Sequence, residues 1–183
     1  MVSILIDDEL LLRTYQPDDA AALFNVISGS RAHLRTWLGW VDRTTKPEHS
    51  LQFIQQSLQD INTQQSLTLG IFRNREIIGG IGMHNWDQEL KRAQIGYWLA
   101  KDFEGKGIII RSARRFLDFL FQKLDLNKIE LHFAVRNTRS AAVAQKLGAK
   151  TEGIVRAGCL INGIPEDLVI TSILRSEWKQ QNQ

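Results

Sequence analysis

Residues 97–109 read YWLAKDFEGKGII. A strand-like run enters a turn with two glycines and leaves it as a long helix. Ile109, Ala113, Phe116, Leu117, Leu120 and Leu124 recur there at helical spacing. The first turn of any helix carries unpaired backbone N–H groups and a partial positive charge. Gly105 and Gly107 let that backbone approach an anion without a Cβ in the way. Glu104, Gly105, Lys106, Gly107, Ile108 and Ile109 therefore form a candidate pyrophosphate site. Taken alone, the stretch reads equally as a tight strand-to-helix turn that holds nothing. Two other phosphate loops do not fit it. A Walker A loop needs Gly-Lys-Ser/Thr, whereas Lys106 here precedes Gly107 and Ile108 follows it. The dinucleotide fingerprint needs a third glycine and a parallel βαβ unit, and both are missing.

The rest of the chain places this element late in the fold. Residues 10–14 read as a short strand, and Pro17, Asp18 and Asp19 supply a helix start for residues 20–28. Residues 31–40 predict a second short helix. Residues 48–62 predict a third, with Leu51, Ile54, Leu58 and Ile61 on one face. The period then drops to two. Residues 66–73 and 76–83 read as strands joined by a tight turn at Asn74 and Arg75, and residues 92–100 as a third. After the long helix come a strand over 129–135, a short helix over 140–147 and two strands near 152–161 and 167–174. Asn162 and Gly163 form the turn between those last two. This order predicts an α+β fold: a central, mostly antiparallel mixed sheet flanked by helices.

Composition sets outer bounds. The 183 residues suit one domain spanning 1–183, with no repeat or linker. Lys and Arg number 23 against 20 Asp and Glu, a net charge of +3. That bias suits an anionic small ligand and gives no case for nucleic-acid binding. Cys159 is the lone cysteine, so neither an internal disulfide nor a cysteine-cluster metal site is expected; a core thiol is the reading for it. Asp7, Asp8 and Glu9 break the apolar N-terminal run, no window is long enough to span a bilayer, and a cytoplasmic location is expected.

A second cluster lies downstream: Asn137, Thr138, Arg139 and Ser140, then Lys146, Leu147, Gly148 and Ala149. Locally, Asn137 and Ser140 are ordinary helix-capping residues. Together with residues 104–109, the cluster resembles the GNAT superfamily of acetyltransferases. The superfamily's cofactor motif, Gln/Arg-x-x-Gly-x-Gly/Ala, falls on Glu104, Gly107 and Ile109, of which only Gly107 keeps the usual residue. An acidic Glu104 is unfavourable beside a pyrophosphate unless it points away. The second motif, Asn-x-x-Ser-x-x-x-x-x-Lys-x-Gly-Phe, fits at Asn137, Ser140, Lys146 and Gly148, with Ala149 replacing the aromatic residue.

Three further pieces resemble the ribosomal-protein N-terminal acetyltransferases, which act on N-terminal serine or alanine. They are residues 33–40 (HLRTWLGW), residues 95–99 (IGYWL), and Asn162-Gly163 followed by Asp167. Trp37 and Trp40 are either two core tryptophans on a helix or a wall of an acceptor site. Asp167 either meets a cationic amine or pairs with an arginine. With the two motifs, the likeness covers nearly the whole chain.

The resemblance implies acetyl-CoA as co-substrate, with the backbone of Trp98, Leu99 and Ala100 pairing along its pantetheine arm. It implies direct attack of a neutral amine on the thioester, with Ser140 as the acid for the departing thiolate and a strand N–H near Leu99 polarising the carbonyl. Tyr15 and Tyr97 are the only tyrosines, and neither falls on the helix where many relatives carry a catalytic tyrosine. His84, at the end of a predicted strand, is the first candidate for the base; His132 lies mid-strand, and Asp87 and Glu89 fall in a predicted loop. Three functions stay open: acetylation of a protein N-terminus such as a ribosomal one, acetylation of a polyamine- or aminoglycoside-like small amine, and a non-catalytic CoA-binding regulatory module. A homodimer is a further expectation from the resembled group.

Overall fold

The computed structural model of the protein describes residues 1–181. Its strands are β1 (Ser3–Leu5), β2 (Leu10–Arg13), β3 (Leu67–Arg73), β4 (Glu76–Asp87), β5 (Arg92–Leu99), β6 (Lys128–Ala134), β7 (Lys150–Ile161) and β8 (Ile164–Leu174). They form one sheet in the order β1-β2-β3-β4-β5-β6-β8-β7. Every neighbouring pair is antiparallel except β5 and β6. The expected α+β fold with a mostly antiparallel mixed sheet is the one observed. The helices are α1 (Ala20–Gly29), α2 (Arg31–Leu34), α3 (Pro47–Asn62), α4 (Ile108–Lys123), α5 (Thr138–Lys146) and α6 (Arg175–Gln181). Among the described residues, no helix is long and apolar enough to cross a membrane.

Strand alternation gives the sheet two apolar faces, and each has its own core. On one face, Leu23 and Ile27 of α1 and Ile54 of α3 pack with Tyr15, Phe72 and Ile77. On the other, Ala113, Phe116, Leu117 and Leu120 of α4 and Ala144 of α5 pack on Leu69, Ile71, Ile95, Ile129 and Leu131. The glycine turn therefore leads from β5 onto the α4–α5 face.

Several boundaries differ from the sequence reading. The helix expected over 31–40 is only α2, followed by turns and a 3-10 segment, Gly39–Arg43. Arg31 donates to the carbonyls of Val41 and Thr44 and so folds the chain back across the end of the helix. Strand β4 runs past Met83 to Asp87, which pairs with Arg92 beyond a bulge. His84 thus lies inside a strand. Asp87 closes that strand rather than lying in the loop, and its carboxylate accepts from the N–H of Leu90 at 2.8 Å. Strand β1 and helix α6 were not anticipated. Trp178 anchors α6, donating from its indole to Asp118 at 2.8 Å. Cys159 is not a core thiol; it is half-buried on β7, an edge strand whose side chains are mostly exposed.

Candidate functional site

Strands β5 and β6 run parallel only from Arg92 opposite Lys128 to Ile95 opposite Leu131. Beyond that register each keeps its outer neighbour: Tyr97, Trp98 and Leu99 stay paired with β4, while Phe133 and Ala134 stay paired with β8. The two strands splay, and a cavity of ≈ 600 Å³ opens between them. Because the gap lies within the sheet, the cavity reaches both of its faces. Tyr97, Ile109, Asn137, Ser140 and Val143 line it on the α4–α5 side. Leu34, Trp37, Leu38, His132, Cys159 and Leu168 line it on the other.

Strand β5 is followed by a 3-10 turn, Lys101–Phe103, and then by the two glycines. Gly105 has φ +72° and Gly107 has φ +69°, a left-handed conformation that leaves both positions open, with nothing near the place of a Cβ. Gly107 is the N-cap of α4. It supplies no side chain to cap the helix, and the first turn carries no acid. The leading N–H groups of α4 are therefore free of side-chain partners at the cavity wall, as an anion site requires. Gly105, Gly107, Ile108 and Ile109 all line the cavity, and Lys106 does not. The ammonium of Lys106 donates to the Asp102 carbonyl at 2.8 Å and stands over the Phe103 ring.

Glu104 is the one acid in this turn that lines the cavity, and it is neutralised where it stands. Arg139 donates to both of its carboxylate oxygens, and His33 Nε2 lies 3.1 Å from one of them. The cluster ties α2, the glycine turn and α5 together. Sequence spacing gives no hint of it, because its members lie 35 and 71 positions from Glu104 and Arg139 falls outside any motif residue.

At the head of the cavity, Asn137 caps α5 by accepting from the N–H of Ser140 at 3.1 Å. This fixes Ser140 in the first turn, facing the splay. Tyr97 on β5 and Ser140 on α5 line the same part of the cavity. Burial pushes the Tyr97 phenol above its ordinary pKa, with the nearby Ser140 hydroxyl partly opposing the rise, so the phenol stays protonated at neutral pH. Tyr97 is off the helix, as expected, yet it enters the site from the strand beside it. The signal was available, since Tyr97 alternates with Ile95 and Leu99 toward the α4–α5 face.

The two histidines part company. His84 pairs with Gln94 across β4 and β5 and sits beside Gly96, just outside the cavity lining. Partial desolvation of its ring and the nearby His132 hold His84 below the usual histidine range, with the neighbouring Gln94 side chain opposing them. His132 lines the cavity, and its Nε2 lies 2.9 Å from Glu130 Oε2. Trp37 and Leu38 are half-buried in the cavity wall, while Trp40 packs edge-on against Trp98 at 6.2 Å. Asp167 forms neither an arginine pair nor part of the cavity wall. Its carboxylate accepts from the Ala157 N–H at 2.9 Å, and its neighbour Glu166 takes Arg136 instead.

Comparison with known proteins agrees with this geometry. Residues 9–150 match the family model described as acetyltransferase (GNAT) domain. YdaF of Bacillus subtilis (strain 168), named as a candidate ribosomal N-acetyltransferase, is 32% identical over 183 residues, covering 98% of each chain. Among solved structures, the microcin C7 self-immunity acetyltransferase MccE, in complex with acetyl-CoA and AMP, is 26% identical. It superposes with a TM-score of 0.88 over 92% of this chain and 94% of its own. RimL, a ribosomal L7/L12 α-N-protein acetyltransferase in complex with coenzyme A, shares the fold at a TM-score of 0.92. Its identity is 23%, over 96% of this chain and 99% of its own.

Proposed function

The chain belongs to the acetyltransferase (GNAT) family, and from that membership we propose that it moves an acetyl group from acetyl-CoA to the N-terminal α-amine of a protein. Residues 1–183 would work as one acetyltransferase domain. The observation that carries this reading is the splay between β5 and β6, with the uncapped start of α4 on its flank and Ser140 at its head. The pyrophosphate meets the N–H groups that follow Gly107. The pantetheine arm lies along β5 past Ile95, where the strand backbone has a neighbour on one side only, so the arm adds as a strand would. The thioester then lies in the gap, and the acceptor amine enters from the face bearing Trp37 and His132.

The chemistry follows from that arrangement. The neutral amine attacks the thioester carbon and forms the C–N bond. The oxyanion meets a strand N–H near Leu99, the C–S bond breaks, and the thiolate takes a proton from Ser140 Oγ. Tyr97, which lines the cavity with Ser140, returns a proton to it and regains one from solvent. The α-amine is the acceptor best suited to this site. Its pKa near ~8 leaves a useful neutral fraction, whereas a lysine amine near ~10.4 is about one part in a thousand neutral. A ribosomal protein is the acceptor class that YdaF and RimL suggest by name.

Mass spectrometry of a peptide panel with protein and acetyl-CoA tests the acceptor. Free N-terminal Ser, Ala or Met, blocked peptides with internal lysine, and spermidine are the arms. Gain of one acetyl group only on free N-terminal Ser or Ala is the expected result. Acetylation confined to spermidine or lysine overturns the acceptor while leaving the cofactor site intact.

Two substitutions probe the cofactor side. At φ +69°, Gly107→Val forces a β-branched residue into a left-handed backbone, at a cost of ~1–2 kcal/mol, and stands a side chain where the phosphates approach. Titration of acetyl-CoA by calorimetry is expected to show affinity lowered more than about tenfold, since each ~1.4 kcal/mol is a factor of ten. Arg139→Ala uncovers the Glu104 carboxylate. It is expected to raise KM for acetyl-CoA about fivefold, equivalent to ~1 kcal/mol for a partly exposed pair. The effect should shrink as salt is added. A KM that ignores Arg139→Ala would mean that Glu104 stands clear of the phosphates.

A further inference from the structure

We propose that His132, oriented by Glu130, is the general base that takes the proton from the acceptor amine. This rests on the acetyltransferase reading above and adds to it the residue that completes the proton balance.

The geometry begins with strand alternation. Glu130 and His132 are two positions apart on β6, so they share a face; the parallel register sets Glu130 opposite Gln94 and ends at Leu131, one residue before His132. That face is opposite the one bearing Ser140 and Tyr97. Glu130 Oε2 lies 2.9 Å from His132 Nε2, and both side chains are largely buried, 15% and 18% exposed. The other carboxylate oxygen, Oε1, is held by Lys128 at 3.5 Å and Arg92 at 3.8 Å. Glu130 is thus fixed at one oxygen by two cations and presents the second to the imidazole. A carboxylate there selects the tautomer with hydrogen on Nε2 and leaves the Nδ1 lone pair bare. The remaining charged groups around the pair are His84 on β4 and Glu152 on β7, the latter bound to Lys128 at 2.9 Å. Ile170, opposite His132 on β8, adds no charge.

Position decides between the two histidines. His132 stands in the cavity wall at the first residue past the splay, whereas His84 lies one strand farther out and is fixed by no carboxylate. The base and the acid then flank the thioester from opposite faces of the sheet. The amine proton passes to His132 Nδ1 as the C–N bond forms, and the Ser140 proton passes to sulfur as the C–S bond breaks. His132 later releases its proton to solvent, so no group ends the cycle altered.

Steady-state kinetics on the full chain test the base. His132→Gln is expected to lower kcat/KM for the acceptor about 100-fold, the lower end of general-base effects, with KM for acetyl-CoA within about twofold of the unaltered protein. The same change at His84 is expected to cost at least about tenfold less. Glu130 is a positioning residue, and its readout is the ring tautomer of His132, followed by nitrogen NMR on the resting protein. The unaltered protein is expected to carry hydrogen on Nε2; Glu130→Ala should abolish that preference, and Glu130→Gln, whose carbonyl still accepts, should restore it. A ring carrying its hydrogen on Nδ1, or an active His132→Gln variant, overturns the proposal alone. An unaltered protein that binds acetyl-CoA and acetylates no amine overturns the acetyltransferase reading, and this inference with it.

Discussion

Ser140→Ala is expected to lower kcat about 100-fold while KM for acetyl-CoA stays within about twofold, the pattern of an interaction made only in the transition state. The change is selective because the bond that fixes this turn is made by the Ser140 backbone. The N–H donates to Asn137 Oδ1, and alanine keeps that N–H, so the cap and the start of α5 survive. Only the hydroxyl that faces the splay is lost. Tyr97→Phe removes the phenol behind it and is expected to cost roughly tenfold, since Ser140 still donates but loses the partner that restores its proton. Steady-state rates for both variants separate the roles. Full activity in Ser140→Ala together with a large loss in Tyr97→Phe would assign the acid to the tyrosine.

Phe116→Ala is expected to destabilise the fold by about 4 kcal/mol, within the usual range for emptying a phenylalanine site in a core. Phe116 is fully buried on α4, at the centre of the cluster that holds this helix against Ile95, Ile129 and Leu131. For a chain of this size the loss corresponds to a melting temperature lower by roughly 8–16 °C. The same helix carries Gly107 at its start, so the core beneath it also holds the glycine turn at the cavity. A thermal melt followed by circular dichroism reads the effect, and bound acetyl-CoA should recover part of it by mass action. A shift below about 3 °C would mean that α4 is held mainly by something other than this core.

Much of this architecture was legible in the sequence because it rests on periodicity. The stripe of Ala113, Phe116, Leu117 and Leu120 fixes the buried face of α4, and the alternation of Ala93, Ile95, Tyr97 and Leu99 fixes the faces of β5. What failed was short or depended on distant partners. Three residues of β1 give no period, and α6 is held largely through Trp178 on Asp118, a contact across 60 positions. The predicted helix over 31–40 shortened because Arg31 took carbonyls that lie beyond it, which no local propensity records.

The candidate site divides in the same way. The glycine turn and the Asn137 cap are local devices, and they stand where spacing put them. The neutralised Glu104 and the meeting of Tyr97 and Ser140 in one cavity wall are tertiary, so the motif residues alone gave neither. Cys159 and Asp167 went astray for a related reason. Both lie near the β7–β8 hairpin, where the edge of the sheet leaves an apolar-leaning segment half exposed and turns a carboxylate to the backbone of its own hairpin. The splay itself is invisible in sequence, because it comes from β5 and β6 keeping different outer neighbours.

The central claim is that the gap between β5 and β6 is where the thioester reacts, and a crystal structure of the protein with coenzyme A bound tests it most directly. The account predicts pyrophosphate oxygens on the N–H groups that follow Gly107, the pantetheine arm along Tyr97, Trp98 and Leu99, and the sulfur within hydrogen-bonding reach of Ser140 Oγ. Coenzyme A bound elsewhere, or with its sulfur turned away from Ser140, would contradict it.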